Sequence, residues 1–232
     1  MVTIEVENLS HSYHNGVTAT TVLHDISLHL NQQRIGIIGH NGSGKSTFVR
    51  MINGLITPTQ GTIRVDGISV AQDPKTVRAM TGFLFTDPDN QIIMPTVSED
   101  VAFGLRKSGL TSAQIETAVD QMLTRYGLAS HKDHPAHLLS GGQKQLLALV
   151  SVLICQPRLI IMDEPTTLLD IRNARMIGRV ISQLEQTVVL ATHHLHLLAD
   201  FDRVLVFHHG RVVCDDEPSA AIAHYQRLMD DE

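Results

Sequence analysis

Residues Gly39, His40, Asn41, Gly42, Ser43, Gly44, Lys45, Ser46 and Thr47 match the pattern GxxxxGK[ST], which is built to hold a phosphate chain. Its glycines let the backbone curl so that successive N–H groups point inward at phosphate oxygens. The N-terminus of the helix that follows adds partial positive charge. Lys45 then reaches the β- and γ-phosphates, and the Ser46 hydroxyl is a ligand for Mg²⁺. A nucleoside triphosphate with Mg²⁺ is the expected ligand, but the loop alone does not choose among kinases, GTPases and ATPases. A second constellation narrows the chemistry. The apolar run 159–162 leads into Asp163 and Glu164, two carboxylates at the end of a buried strand, the edge at which open α/β sheets bind ligands. Asp163 would hold the metal, while Glu164 would orient and polarise the attacking water.

Leu139, Ser140, Gly141, Gly142 and Gln143 form a second candidate anion site, a hydroxyl and glycine amides at a helix N-terminus. A plain Ser N-cap accounts for part of this pattern. LSGGQ is also the signature of the ATP-binding cassette (ABC) ATPases, and the chain resembles that family over nearly its whole length, with motifs in family order. The resemblance implies that Tyr13 stacks on adenine and that His193 contacts the γ-phosphate. It implies that Thr167, Leu168, Leu169 and Asp170 form a loop crossing to a second ABC protomer. Two such chains would pair head to tail, each ATP lying between one P-loop and the other chain's Ser140–Gln143.

Two positions depart from the family pattern. His194 stands where an acidic residue is more usual, and Thr86 stands where a Gln ordinarily senses Mg²⁺ and water. A Thr hydroxyl is shorter, so Thr86 would act on the metal through a bridging water, with Glu164 and His193 carrying more of the hydrolysis. The stretch from Asp87 to Gly104 resembles the ATPases of energy-coupling factor (ECF) vitamin and metal-ion importers. Within that group it looks most like the biotin-transporter ATPase subunit. Pro88 and Gln91 match the Pro-x-x-Gln element that grips a transmembrane coupling subunit, and a separate membrane subunit would bind the substrate. Other ABC systems, an exporter or a soluble non-transport ATPase, remain the alternative at this point.

These residues need a particular scaffold. Runs 2–6 and 22–30 alternate as half-buried antiparallel strands do, whereas 35–38, 159–162 and 188–191 are continuous apolar runs suited to strands covered on both faces. A helix follows the P-loop to about Gly54, and strands are expected at 62–66 and about 81–86. Helical patterns dominate from Pro88 to about residue 156, with a capping box at Thr111 and Gln114 and a second helix starting at Ser140. Residues 203–207 and 211–214 read as a hairpin, and Pro218 opens a closing helix. The expected fold is α/β: a P-loop NTPase core with an antiparallel β-subdomain and an inserted helical subdomain. One nucleotide-binding domain would span 1–232, with the core at about 1–86 and 157–232 and the helical subdomain at about 87–156.

Composition is consistent with this. The chain has 232 residues, 18% of them charged, and a net charge of −6, so it lacks the overall basic field that attracts nucleic acid. Cys155 and Cys214 have no metal or disulfide spacing, which suits a reducing compartment. No apolar run reaches the length that spans a bilayer, so the expected location is peripheral, at the cytoplasmic face of the membrane. Fourteen histidines include the groups 193/194/196, 208/209 and 131/134/137, which read as solvated loop residues.

Overall fold

A computed structural model describes residues 1–14, 16 and 18–230. In chain order it begins with β1 (Ile4–His14), β2 (Ala19–Leu30), β3 (Arg34–Ile38), α1 (Lys45–Ile52) and β4 (Gln60–Val65). Next come β5 (Ile68–Ser69), α2 (Pro74–Met80), β6 (Thr81–Leu84), α3 (Val97–Phe103), α4 (Ser112–Arg125) and α5 (Gly141–Leu153). The chain finishes with β7 (Leu159–Asp163), α6 (Ile171–Ser182), β8 (Thr187–Ala191), β9 (Arg203–His208), β10 (Arg211–Asp216) and α7 (Pro218–Asp230). The α/β class expected from the sequence is the one observed.

The chain divides into two compact units. The first comprises residues 1–81, 158–164 and 184–232, and the second 82–157 and 165–183.

The first unit holds two sheets. One is antiparallel in the order β2-β1-β4-β5, and the other runs β10-β9-β3-β8-β7. In the second sheet β3 is parallel to both β8 and β9, and β7 is parallel to β8. Ile35, Ile37 and Ile38 of β3 and Val188, Val189 and Leu190 of β8 are fully buried, as continuous apolar runs in parallel sheets are. The antiparallel sheet is more irregular than simple alternation suggests. The β1 register shifts between Val6 and Leu9, where Asn8 adopts φ 48°. Such a bulge re-aims side chains. Inward positions change from Ile4 and Val6 to Leu9 and His11, and β1 continues to Tyr13.

The second unit is helical, and its helix starts are written in side-chain chemistry. Thr96 with Glu99, Thr111 with Gln114, and Ser140 with Gln143 each form a complete capping box. The Asp100 carboxylate, 4% exposed, accepts bonds from the Ile93 and Met94 N–H groups and the Ser151 hydroxyl at 2.8–3.1 Å. It ties the start of α3 to α5 and to the loop before it.

Candidate nucleotide site

The P-loop joins β3 to α1 within the first unit. Gly39 has φ 153°, and a Cβ there would collide with the Phe207 carbonyl oxygen. Gly44 caps α1 at φ 104°, where a Cβ would sit 2.7 Å from a Leu23 methyl. Only glycine satisfies both demands. The result is a cleft of about 220 Å³ lined by Asn41, Gly42, Ser43, Gly44, Lys45, Ser46 and Thr47, together with Val22 and Glu164. Ser43 Oγ is buried with no hydrogen-bond partner, a state that calls for a polar ligand.

Lys45 is 5% exposed. Its ammonium donates to the Gly39 carbonyl at 2.7 Å and the His40 carbonyl at 3.0 Å. Burial lowers its pKa from the ordinary lysine value, opposed by the nearby charges of Glu164, whose carboxylate lies 3.9 Å away, and Asp163. A triphosphate in the cleft would add negative charge beside this desolvated cation. The Tyr13 hydroxyl lies 3.4 Å from Thr47 Oγ1. The Tyr13 ring is 46% exposed and sits edge-on to His11 at 4.6 Å. An exposed aromatic so placed offers a face for stacking.

The carboxylates meet the same cleft from β7. Ser46 Oγ donates to Asp163 Oδ1 at 2.7 Å, and Arg50 donates to Asp163 Oδ2 at 2.9 Å. Ser46 and Asp163 thus bring two hard oxygen donors side by side, the ligand chemistry that Mg²⁺ takes. Glu164 turns sharply at the strand end, with φ 53°, a conformation that costs about 1–2 kcal/mol for a residue other than glycine. Its N–H donates to the Ala191 carbonyl at 2.9 Å. Its Oε2 accepts from His193 Nδ1 at 2.8 Å and from the His193 N–H at 3.2 Å. A carboxylate held this way can polarise a water, and the imidazole beside it can hold a proton. Next to it, burial and then the charges of His193 and His196 lower the pKa of His194.

The remaining expected residues lie in the second unit. Ser140 is the N-cap of α5: its Oγ accepts from the Gln143 N–H at 3.4 Å, and its own N–H donates to Gln143 Oε1 at 2.9 Å. Ser140 and Gly141 are exposed, whereas a Cβ on Gly142 would strike Asn173. Asp170 caps α6, accepting from the N–H and the amide of Asn173 at 2.8 and 2.9 Å. Asp170 therefore also fixes the residue against Gly142. Ser140, Gln143, Asp170 and three arginines of α6 (Arg172, Arg175 and Arg179) line an open groove of about 950 Å³. Thr86 is half-buried just beyond β6, in the second unit rather than the unit of Ser46 and Asp163.

Pro88 is buried at the start of a short 3-10 turn. Gln91 has its amide committed internally, its Nε2 donating to the Ala148 carbonyl at 3.1 Å and its Oε1 accepting from the Phe85 N–H at 3.2 Å. Gln145 donates to the Phe85 carbonyl at 3.2 Å, and Lys144 pairs with Asp89 at 2.7 Å. The loop 85–91 is thereby laced to the helix that begins at Ser140.

The sequence reading did not single out Arg50, Asn173, Lys144 or Gln145. Arg50 was findable: it stands four residues beyond Ser46 on α1, hence on the same face. Asn173 is three residues beyond its cap Asp170, but its place against Gly142 has no local signal, and Lys144 and Gln145 act through partners distant in the chain.

A glycine-lined phosphate loop opposite two carboxylates, at the C-terminal edge of a parallel sheet, defines a P-loop nucleotide-binding cassette. A family model described as "ABC transporter" matches residues 23–167, and the chain belongs to the ABC transporter ATP-binding family. It is 47% identical to the biotin transport ATP-binding protein BioM of Rhizobium etli, over 90% of this chain and 93% of that one. Among solved structures it resembles cbiO1 of Clostridium perfringens, part of the ABC transporter complex cbiONQ. The TM-score is 0.82 and the identity 32%, covering 98% of this chain and 93% of that one. It also resembles the cassette MJ0796 in a dimeric post-hydrolysis state bound to ADP and Pi. There the TM-score is 0.84 and the identity 25%, covering 93% of this chain and 98% of that one.

Proposed function

We propose that this chain is the ATP-hydrolysing subunit of an ECF-type importer, working with separate membrane subunits to take up a vitamin or metal ion. Biotin is the leading candidate substrate, supported by the 47% identity to the Rhizobium etli biotin transport protein. The carrying observation is the junction of Ser46, Asp163, Glu164 and His193 at one cleft within one unit.

Each side chain then has a task. The P-loop from Gly39 to Thr47 binds the phosphates, Lys45 draws charge from the transferring group, and Tyr13 stacks on the base. Ser46 and Asp163 would hold Mg²⁺, which when bound would offset the negative charge of the phosphates. Glu164 orients the attacking water and takes up its proton, while His193 holds Glu164 in place and faces the γ-phosphate. Thr86 assists the metal more weakly, through water.

Hydrolysis requires a second ABC protomer, identical or paralogous, whose Ser140, Gly141, Gly142 and Gln143 close over the nucleotide and whose Asp170 braces them. The 87–156 segment serves as the helical subdomain of a single nucleotide-binding domain. Its loop around Pro88 and Gln91 is the docking region for the transmembrane coupling subunit. The internal bonds of Gln91 suit a brace for that loop, with Ile93, 60% exposed, offering apolar surface beside it. No helix among the described residues is long and apolar enough to cross a membrane, which agrees with a peripheral subunit at the cytoplasmic face.

Recovery of the chain from detergent extracts tests this reading. Small apolar membrane subunits should come with it; tight association with RNA or ribosomes in their place would overturn the assignment.

A further inference from the structure

His40 of the phosphate loop meets an adjacent pair of histidines, His208 and His209, that is remote from it in sequence. His40 lies in the P-loop, and His208 and His209 lie at the β9–β10 hairpin. One ring nitrogen from each of the three falls within 4.8 Å of the other two, and His40 stands 5.5 Å, ring to ring, from each of the other two. His208 and His209 are themselves 4.1 Å apart.

The tautomer of His40 follows from its one hydrogen bond. Its Nδ1 lies 2.7 Å from the Asn41 carbonyl oxygen, which can only accept, so Nδ1 carries the proton. The lone pair is then on Nε2, and Nε2 is buried with no hydrogen-bond partner. An imidazole whose one nitrogen donates to a backbone carbonyl while the other presents a desolvated lone pair is arranged as metal-binding histidines are. The hairpin holds the other two rings by its backbone. His209 and Gly210 have φ 45° and 73°, the left-handed pair of a two-residue turn, and Arg211 pairs with His208 across it. The loop and the hairpin are already joined, since the Gly210 N–H donates to the Ser43 carbonyl at 3.0 Å.

We propose that His40, His208 and His209 form a three-histidine site for a borderline divalent ion of the zinc, cobalt or nickel type, distinct from the Mg²⁺ position at Ser46 and Asp163. Three neutral imidazoles suit such ions and do not suit Mg²⁺. Tetrahedral zinc, at about 2.0–2.1 Å from each nitrogen, needs ligand atoms roughly 3.3 Å apart, so the rings must draw in by up to about 1.5 Å. His209 is exposed and can move. The bound ion would pin the His40 segment, whose carbonyl accepts from Lys45, to the β9–β10 hairpin.

The test is titration of the chelator-stripped chain with Zn²⁺ alone, followed by calorimetry, with Co²⁺ absorption as a second readout. The wild-type chain should retain one ion and give the strong visible bands of four-coordinate cobalt. H209N keeps the turn, because Asn tolerates the left-handed region, and should weaken binding by about tenfold or more, as should H208N. H134A and H196A, which disrupt the other histidine groups, should bind as wild type does. Failure of the wild-type chain to retain zinc would overturn the proposal. So would wild-type affinity in both H208N and H209N, or loss of the ion in H134A or H196A.

Discussion

His193 and Glu164 are joined twice: the imidazole Nδ1 and the backbone N–H of His193 both donate to the same Glu164 oxygen, at 2.8 and 3.2 Å. The two residues are 29 apart in sequence and sit at the ends of adjacent parallel strands, β8 and β7. Because Nδ1 is the donor, the imidazole presents Nε2 as its second functional nitrogen. The left-handed backbone of Glu164 is what turns its carboxylate into this position.

Replacing Glu164 with Gln should therefore leave nucleotide binding intact while lowering turnover by roughly 10²–10⁴-fold, the usual contribution of a positioned general base. Phosphate release and direct nucleotide titration measure the two effects separately. His193→Ala should lower turnover in the same direction, because Glu164 loses its side-chain anchor but keeps the backbone bond.

Lys45→Ala acts at an earlier step. It removes the cation that bridges the Gly39 and His40 carbonyls and is proposed to contact the phosphates, so nucleotide affinity itself should fall by about tenfold or more. Unaltered affinity by titration would count against the assigned phosphate contact.

Gln91→Leu tests the brace between the 85–91 loop, the proposed docking region, and α5. It leaves the Phe85 N–H and the Ala148 carbonyl without their partner, a loss of about 1–3 kcal/mol read by denaturant unfolding. With membrane subunits present, uptake should fall further than ATP binding does. A variant with wild-type stability and uptake would show that the loop needs no such brace.

The response to acid has a definite sign at His194. Its folded pKa lies below the ordinary 6.5, so the unfolded chain binds the proton more readily. Stability from this group is full above about pH 6.5 and is lost as pH falls through 6.5 toward the lowered value. His194→Gln should flatten the stability-versus-pH curve on that acidic flank, as urea midpoints at several pH values would record.

The parallel core was legible because strands covered on both faces leave continuous apolar runs, and β3, β7 and β8 lie where those runs stand. The phosphate loop was legible because glycine at Gly39 and Gly44 answers a local backbone demand. α2 and α3 were not picked out individually, each being only seven residues long, although Asp73 before Pro74 and Thr96 with Glu99 mark their starts. The bulge at Asn8 hid the true length of β1, since a register shift erases the alternation by which strands are read. The histidines show the sharpest contrast. Grouped along the chain they look like solvated loops, but the hairpin carries His208 and His209 across to His40, a juxtaposition that only the folded chain reveals.

The central claim, that ATP is hydrolysed between the P-loop of one copy and the Ser140–Gln143 segment of another, is tested most directly by mixing two inactive variants. In a mixed dimer of Lys45→Ala and Ser140→Arg chains, one site carries both lesions and the other carries neither. With random pairing, half of the dimers are mixed and each has one intact site, so activity should return to roughly a quarter of wild type. A mixture no more active than the separate variants would contradict the shared site.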